Sequence, residues 1–171
     1  MERLWAPWRL SYVAAAKPPT EHDACFICQG LAENSDRDHL IALRGNKSVV
    51  VLNRFPYNNG HLLVAPKAHK GKLHELDADE ILETQQVLTR MVGLLGEMMK
   101  PDGFNIGLNL GQAAGAGLPG HRHWHIVPRW IGDTNFMPIF GDTRVIVQSL
   151  DQFYTYLTER IQESGSLIPA P

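Results

Sequence analysis

The chain has 171 residues, 44% of them hydrophobic, with a formal net charge of −2 and a pI near 6.4. That suffices for the core of one ordinary domain and points to no second domain of comparable size. The charge balance argues against a general affinity for nucleic-acid backbone and favours a small anionic ligand over a long polyanion.

No apolar run approaches the ~20 residues needed to span a bilayer, and the first residues lack a secretory apolar core, so no membrane association and a cytoplasmic location are expected. Residues 1–19 form an aromatic arm with Trp5, Trp8 and Tyr12 among Arg3 and Arg9. Such an arm suits packing on the body or on a second subunit, or capping of a bound base. Residues 20–150 are expected to form the main domain, and 151–171 a C-terminal helix with a mobile tail. In a reducing compartment the Cys25-Phe26-Ile27-Cys28 pair reads as a metal or redox site more readily than as a disulfide, with two buried free thiols as the plain alternative. A short helix is expected near 26–33.

Two apolar runs, 39–43 and 48–52, are separated by Arg44-Gly45-Asn46-Lys47, a hairpin signal. A turn through 54–60 leads into a third run, 61–65, ended by Pro66. Asp77 supplies an N-cap with Glu80 three positions on. Ile81, Leu88, Val92, Leu95 and Met99 then recur at helical spacing up to Pro101, which predicts one long helix with those residues facing inward. Residues 103–110 read as a fourth strand, and the histidine-rich segment from 121 as a fifth. Val145-Ile146-Val147 and a helix over 150–163 follow. Strands, one long helix and more strands suggest an α+β fold with a mainly antiparallel five-stranded sheet and a C-terminal helix.

The most informative segment is His121-Arg122-His123-Trp124-His125-Ile126-Val127-Pro128-Arg129. Strand side chains alternate faces, so the three imidazoles share one side and Arg122 takes the other. On a helix each successive imidazole would turn by roughly 200° and no common site would form. Pro128 is expected to end the hydrogen-bonded run. Three readings fit aligned histidines: a catalytic metal centre, a nucleophilic imidazole, or a structural cluster. A metal-dependent hydrolase normally adds a carboxylate base, and after His125 none occurs until Asp133. A neutral imidazole can attack phosphorus without a strong base, which favours His123 as nucleophile with an imidazole on either side. The loop before the triad, with Gly111, Gly115, Gly117 and Gly120, can present backbone N–H groups to a phosphate. Asn109 either bonds a phosphate or stabilises that loop. His22, His39 and His74 read as surface residues.

This segment resembles the His-x-His-x-His-x-x signature of the histidine triad family of nucleotide hydrolases and transferases, with Arg122 departing from a position that is usually apolar. The similarity includes residues 53–66, from Asn53-Arg54 through Gly60-His61-Leu62-Leu63-Val64-Ala65-Pro66. Over most of residues 3–150 it extends to the diadenosine tetraphosphate phosphorylase branch. The resemblance implies that Asn53 contacts the ribose, that His61 lies near the phosphates, that His123 becomes transiently nucleotidylated, and that His125 contacts phosphate or leaving group. It implies purine nucleotides or dinucleoside polyphosphates and inorganic phosphate as reactants, and a homodimer with residues 103–110 near its two-fold axis. It also implies a structural zinc held by Cys25, Cys28, His69 and His121. A phosphoramidate or adenylyl-conjugate hydrolase with the same intermediate is the alternative within enzymes. A nucleotide-binding regulatory protein with little turnover is the alternative outside them.

Overall fold

The computed structural model describes residues 25–133 and 146–165. The aromatic arm with Trp5 and Trp8, His22, Val145 and the tail from 166 lie outside the described residues. Helix α1 spans Phe26–Ala32, followed by strands β1 (Ile41–Arg44), β2 (Ser48–Leu52) and β3 (Leu62–Pro66), helix α2 (Ala78–Met99), strands β4 (Gly103–Leu108) and β5 (Trp124–Arg129), and helix α3 (Leu150–Glu163). The strands form one antiparallel sheet in the order β1-β2-β3-β5-β4. No helix among the described residues is long and apolar enough to cross a membrane.

Every residue of β2 and β3 is buried, because both faces of the sheet are covered. Val50, Leu52, Leu62, Val64, Trp124 and Ile126 pack under α2 and α3 in the main core. Val49, Val51, Leu63 and Ala65 point the other way, against Ile27, Ile41 and Cys25. That second face carries the histidines, since Leu63 lies opposite His125 in the ladder.

The buried stripe of α2 is Glu80, Glu83, Thr84, Val87, Leu88, Met91, Leu94 and Leu95. Ile81, expected inside, is 42% exposed. Two carboxylates take part of the inner face because donors meet them there. Glu83 Oε1 accepts from the Lys47 and Ser48 backbone N–H groups, each at 2.9 Å, and from Ser48 Oγ at 2.7 Å, so α2 grips the hairpin turn between β1 and β2. Glu80 Oε2 accepts from Lys70 Nζ at 2.7 Å and from the Asp77 N–H at 2.8 Å.

The histidine segment differs from expectation at both ends. Regular strand begins only at Trp124. Continuing the register Val64↔Trp124 would set Arg122 opposite Pro66, which has no N–H to give, so the ladder stops there. The Arg122 N–H turns instead to the Lys70 carbonyl at 2.8 Å. At the other end Pro128 does not end the strand, which continues to Arg129. Its carbonyl points away from β4 and accepts from Asn58 Nδ2 at 3.2 Å. The missing N–H of Pro128 lies on that same side, past the end of β3, where no ladder bond is lost.

Gly60 closes the turn into β3 with φ +76°, and a Cβ there would lie 2.8 Å from Met99 Sδ and 3.2 Å from Pro128 Cγ. Only glycine combines that backbone with so close an approach.

Candidate active site and metal cluster

Residues from four parts of the chain converge on the α1 face of the sheet, around the inner strands β3 and β5. His61 ends the turn before β3, His123 and His125 lie at the start of β5, Cys25 and Cys28 open α1, and His69 follows β3. His61, His121, His123 and His125 are all buried.

The hydrogen bonds assign the imidazole tautomers. His123 Nδ1 lies 2.8 Å from the His121 carbonyl oxygen, which can only accept, so Nδ1 carries the proton and Nε2 of the neutral ring keeps its lone pair. The Tyr57 backbone N–H donates to His61 Nδ1 at 3.0 Å, so His61 carries its proton on Nε2. That proton points at His125 Nδ1, 2.9 Å away. His125 therefore bears its own proton on Nε2, a buried atom with no partner among the described residues. Asn53 steadies the first link: Oδ1 accepts from the Phe55 N–H at 2.9 Å, and Nδ2 lies 3.2 Å from His61 Nδ1. The arrangement thus offers one imidazole lone pair and one imidazole N–H, with the His123 and His125 ring centroids 5.1 Å apart.

Burial pushes the His123 imidazole below its ordinary range; its bond to the His121 carbonyl opposes this and the Arg122 charge reinforces it. Burial, aided by the charge of His123, carries His125 down to about 4. Both rings are thereby kept neutral at pH 7, the state that nucleophilic attack requires.

Arg122 is buried, and its Nη1 donates to the Asn109 carbonyl at 3.1 Å. Asn109 in turn directs Nδ2 to the Gly115 carbonyl at 3.4 Å, which organises the glycine loop. Within that loop Gly111 O accepts from the Ala114 and Ala116 N–H groups, each at 3.3 Å. Gly111 and Gly115 take φ +79° and +83°, and Gly111, Gly115 and Gly117 are exposed. His39 bonds Glu33 near the surface and His74 is exposed.

The cysteine pair meets two of the histidines. Cys25 is the N-cap of α1 and its sulfur accepts from the Cys28 N–H at 3.4 Å, so the two-residue spacing brings both sulfurs to one end of the helix. Cys25 Sγ lies 3.3 Å from His121 Nδ1, and Cys28 Sγ lies 3.2 Å from His69 Nδ1 and 3.5 Å from His121 Nδ1. All four ligand atoms fall within 4.8 Å of one another. A tetrahedral ion with metal–sulfur near 2.3 Å and metal–nitrogen near 2.0 Å has sulfur–nitrogen edges of roughly 3.5 Å, so the donor set fits a metal ion. His121 is prepared for that role, because its Nε2–H is given to the Pro66 carbonyl at 2.8 Å and Nδ1 is left to ligate. Burial, with the hydrogen bond and charge of Cys25, pushes the Cys28 thiol up to about 12. A cation among the four groups supplies the charge that would hold the sulfurs as thiolates. Arg44 seats α1 for this purpose: its guanidinium donates to the Gly30, Leu31 and Glu33 carbonyls at 2.7 to 2.9 Å.

Sequence reasoning missed three contributors. Tyr57 acts through its backbone N–H and also lies nearly parallel to His125, with centroids 5.8 Å apart and 15° between planes. The carbonyls of Pro66 and His121 fix two tautomers, and backbone acceptors leave no mark in residue identity. An aromatic four residues before His61 was the one available signal.

Fold and site together define an α+β enzyme centred on a set of interacting histidines. A model of the HIT domain family matches residues 34–130. The chain is 38% identical over 154 residues to AP-4-A phosphorylase of Mycobacterium tuberculosis (strain CDC 1551 / Oshkosh), covering 88% of this chain and 79% of that one. It is 28% identical over 129 residues to adenosine 5'-monophosphoramidase of Saccharomyces cerevisiae, covering 75% and 77%. A hypothetical histidine triad nucleotide-binding protein from Sulfolobus tokodaii strain7 superposes with TM-score 0.63 and 28% identity, covering 82% of this chain and 91% of that one. This chain belongs to the HIT domain family and is an enzyme of it.

Proposed function

We propose that the protein is a nucleotidyl transferase that cleaves dinucleoside polyphosphates, converting diadenosine tetraphosphate and inorganic phosphate to ADP and ATP. The observation that carries this reading is the pair of opposed imidazole tautomers: an Nε2 lone pair on His123 and an Nε2–H on His125 with no partner among the described residues. The similarity to AP-4-A phosphorylase supports the substrate class. His123 Nε2 attacks the α-phosphorus, forming a P–N bond as the P–O bond to the leaving ATP breaks. The His125 Nε2–H stabilises charge on the leaving oxygen, with its tautomer held through His61, Tyr57 and Asn53. Inorganic phosphate then attacks the same phosphorus from the vacated side and forms ADP, returning His123 to its starting state. Water in place of phosphate would give AMP.

In this reading Asn53 holds the ribose, while Asn109, Gly111, Gly115 and Gly117 line the path of the polyphosphate. The ion held by Cys25, Cys28, His69 and His121 is zinc, whose preference for tetrahedral sulfur and nitrogen ligands suits this donor set. It is structural and tethers α1 to the segment that carries His123. The exposed edge strand β4 forms the homodimer contact, and the reduced thiols fit a cytoplasmic setting. Domain limits follow: an arm at 1–19, the catalytic domain at 20–150 and a C-terminal helix and tail at 151–171.

Incubation with diadenosine tetraphosphate, with and without inorganic phosphate, tests the reaction by its products. Phosphate-dependent ADP plus ATP and a nucleotidyl adduct on His123 are expected. AMP plus ATP irrespective of phosphate would replace phosphorolysis with hydrolysis, and full activity in His123→Ala would overturn the mechanism.

A further inference from the structure

Two aromatic side chains flank Pro56 in the turn between β2 and β3, and both face solvent: Phe55 is 80% exposed and Tyr57 48%. The turn that carries them is tied into the candidate active site. The Phe55 N–H donates to Asn53 Oδ1 at 2.9 Å and the Tyr57 N–H to His61 Nδ1 at 3.0 Å. One face of the Tyr57 ring runs nearly parallel to His125. Arg54, whose Nη2 donates to the Asp38 carbonyl at 3.0 Å, adds a cation to the same turn. An aromatic pair displayed at the rim of a nucleotide site, beside the ring of His125, has the composition of a base-stacking surface.

We propose that Phe55 and Tyr57 form a shelf on which the base of the leaving nucleotide stacks, so that the enzyme prefers substrates carrying a nucleoside at each end. The inference rests on the reading of the substrate as a dinucleoside polyphosphate, and it assigns the second nucleoside a place. In an in-line displacement the attacking atom and the leaving oxygen lie on opposite sides of phosphorus. The polyphosphate therefore departs on the side away from His123 Nε2, toward His125, and its terminal nucleoside emerges where Tyr57 covers that ring. Stacking reads the flat face of a base and not its edge, so the shelf accepts either purine.

The test compares diadenosine tetraphosphate with adenosine 5'-tetraphosphate, which has the same phosphates and one base. In Phe55→Ala the KM for the dinucleotide should rise roughly tenfold with kcat unchanged, in line with the loss of one stacking partner. The KM for adenosine 5'-tetraphosphate should change less than twofold, and Phe55→Trp should restore dinucleotide affinity. An equal rise for both compounds would overturn the proposal by assigning the ring to the transferred base, and no change for either would overturn it as well. If the wild type turned over neither compound, the reaction reading would fail separately. Calorimetric dissociation constants for the same two compounds would then decide the shelf, which is refuted if the dinucleotide binds wild type no more tightly than the one-base analogue.

Discussion

His121 serves two sites at once: its carbonyl oxygen holds the Nδ1–H of His123 at 2.8 Å, while its ring presents Nδ1 to Cys25 Sγ at 3.3 Å. Its remaining ring nitrogen is fixed by Pro66. The residue that orients the candidate nucleophile is thus itself part of the candidate metal cluster, within three residues of chain.

Removal of the ion should therefore act on catalysis without touching the substrate. Cys25→Ser should lose bound metal, lower the melting temperature and reduce kcat roughly tenfold or more with little change in KM, in keeping with losses seen when supporting groups around a metal are removed. Metal content by mass spectrometry, thermal melts and steady-state kinetics provide the readouts. A metal-free wild type of equal stability would refute the metal site.

The imidazole chain predicts a graded series. His123→Ala should lose at least about a thousandfold in kcat, as expected for a covalent nucleophile. His61→Ala should lose less, roughly tenfold to a hundredfold, because it removes only the group that sets the His125 tautomer. His61→Asn, which retains a donor, should recover part of the loss. Rapid-quench measurement of the first turnover separates these effects from product release, and equal losses in all three variants would contradict the assignment of roles.

Acid should be tolerated further than an ordinary histidine enzyme allows. His125 is carried to about 4 by burial and the His123 charge, against ~6.5 in an unfolded chain. Between those values the unfolded chain binds a proton that the folded one does not, so stability rises with pH across that window and declines as pH falls from ~6.5 toward 4. Activity should persist further below pH 7 than an exposed histidine allows, because burial disfavours protonation of His123 and protonation of His125 Nδ1 would set two N–H groups against each other across the bond to His61. A pH profile of the first turnover together with melts at pH 7 and 5 checks both parts. Activity already halved at pH 6.5 would argue against neutral buried imidazoles, and His125→Gln should reduce the slope in stability while leaving the part due to His123.

Glu83 offers a prediction about stability alone. Its carboxylate accepts three hydrogen bonds from Lys47 and Ser48 inside the structure. Glu83→Ala leaves those donors without a partner and should cost about 3 kcal/mol, measured by denaturant unfolding, while kcat stays within about twofold. A neutral effect on stability would mean that water replaces the carboxylate.

Much of this was legible in the sequence, and the failures share a cause. Residues 150–163 coincide with α3, and the hairpin and long helix lie where turn and capping residues set them. Apolar periodicity is blind to a buried carboxylate with donors waiting, and Glu80 and Glu83 take the inner face where it points to Ile81. Pro128 lies inside its strand because a proline ends a ladder only where its missing N–H faces a neighbouring strand, and sequence does not show which side that is. Strand alternation sets the histidines on one face, and His121 and His125 share the α1 side although regular strand starts at Trp124. The division of duties among them comes from backbone carbonyls and from Tyr57, and those acceptors are supplied by the fold.

Position 60 carries a consequence for how such a site can vary. With Pro128 Cγ 3.2 Å and the movable Met99 Sδ 2.8 Å from the place of a missing Cβ, and φ at +76°, the turn bearing His61 seats against the last residue of α2 and against β5 in a backbone that suits glycine. An added methyl group there would strain the backbone at positive φ and press on Pro128, and the turn that relaxes in response is the one carrying His61. The long helix contains none of the candidate reacting groups, yet its far end works as the depth stop for one of them. Repacking around Met99 is thus a means of adjusting catalysis from the opposite side of the sheet.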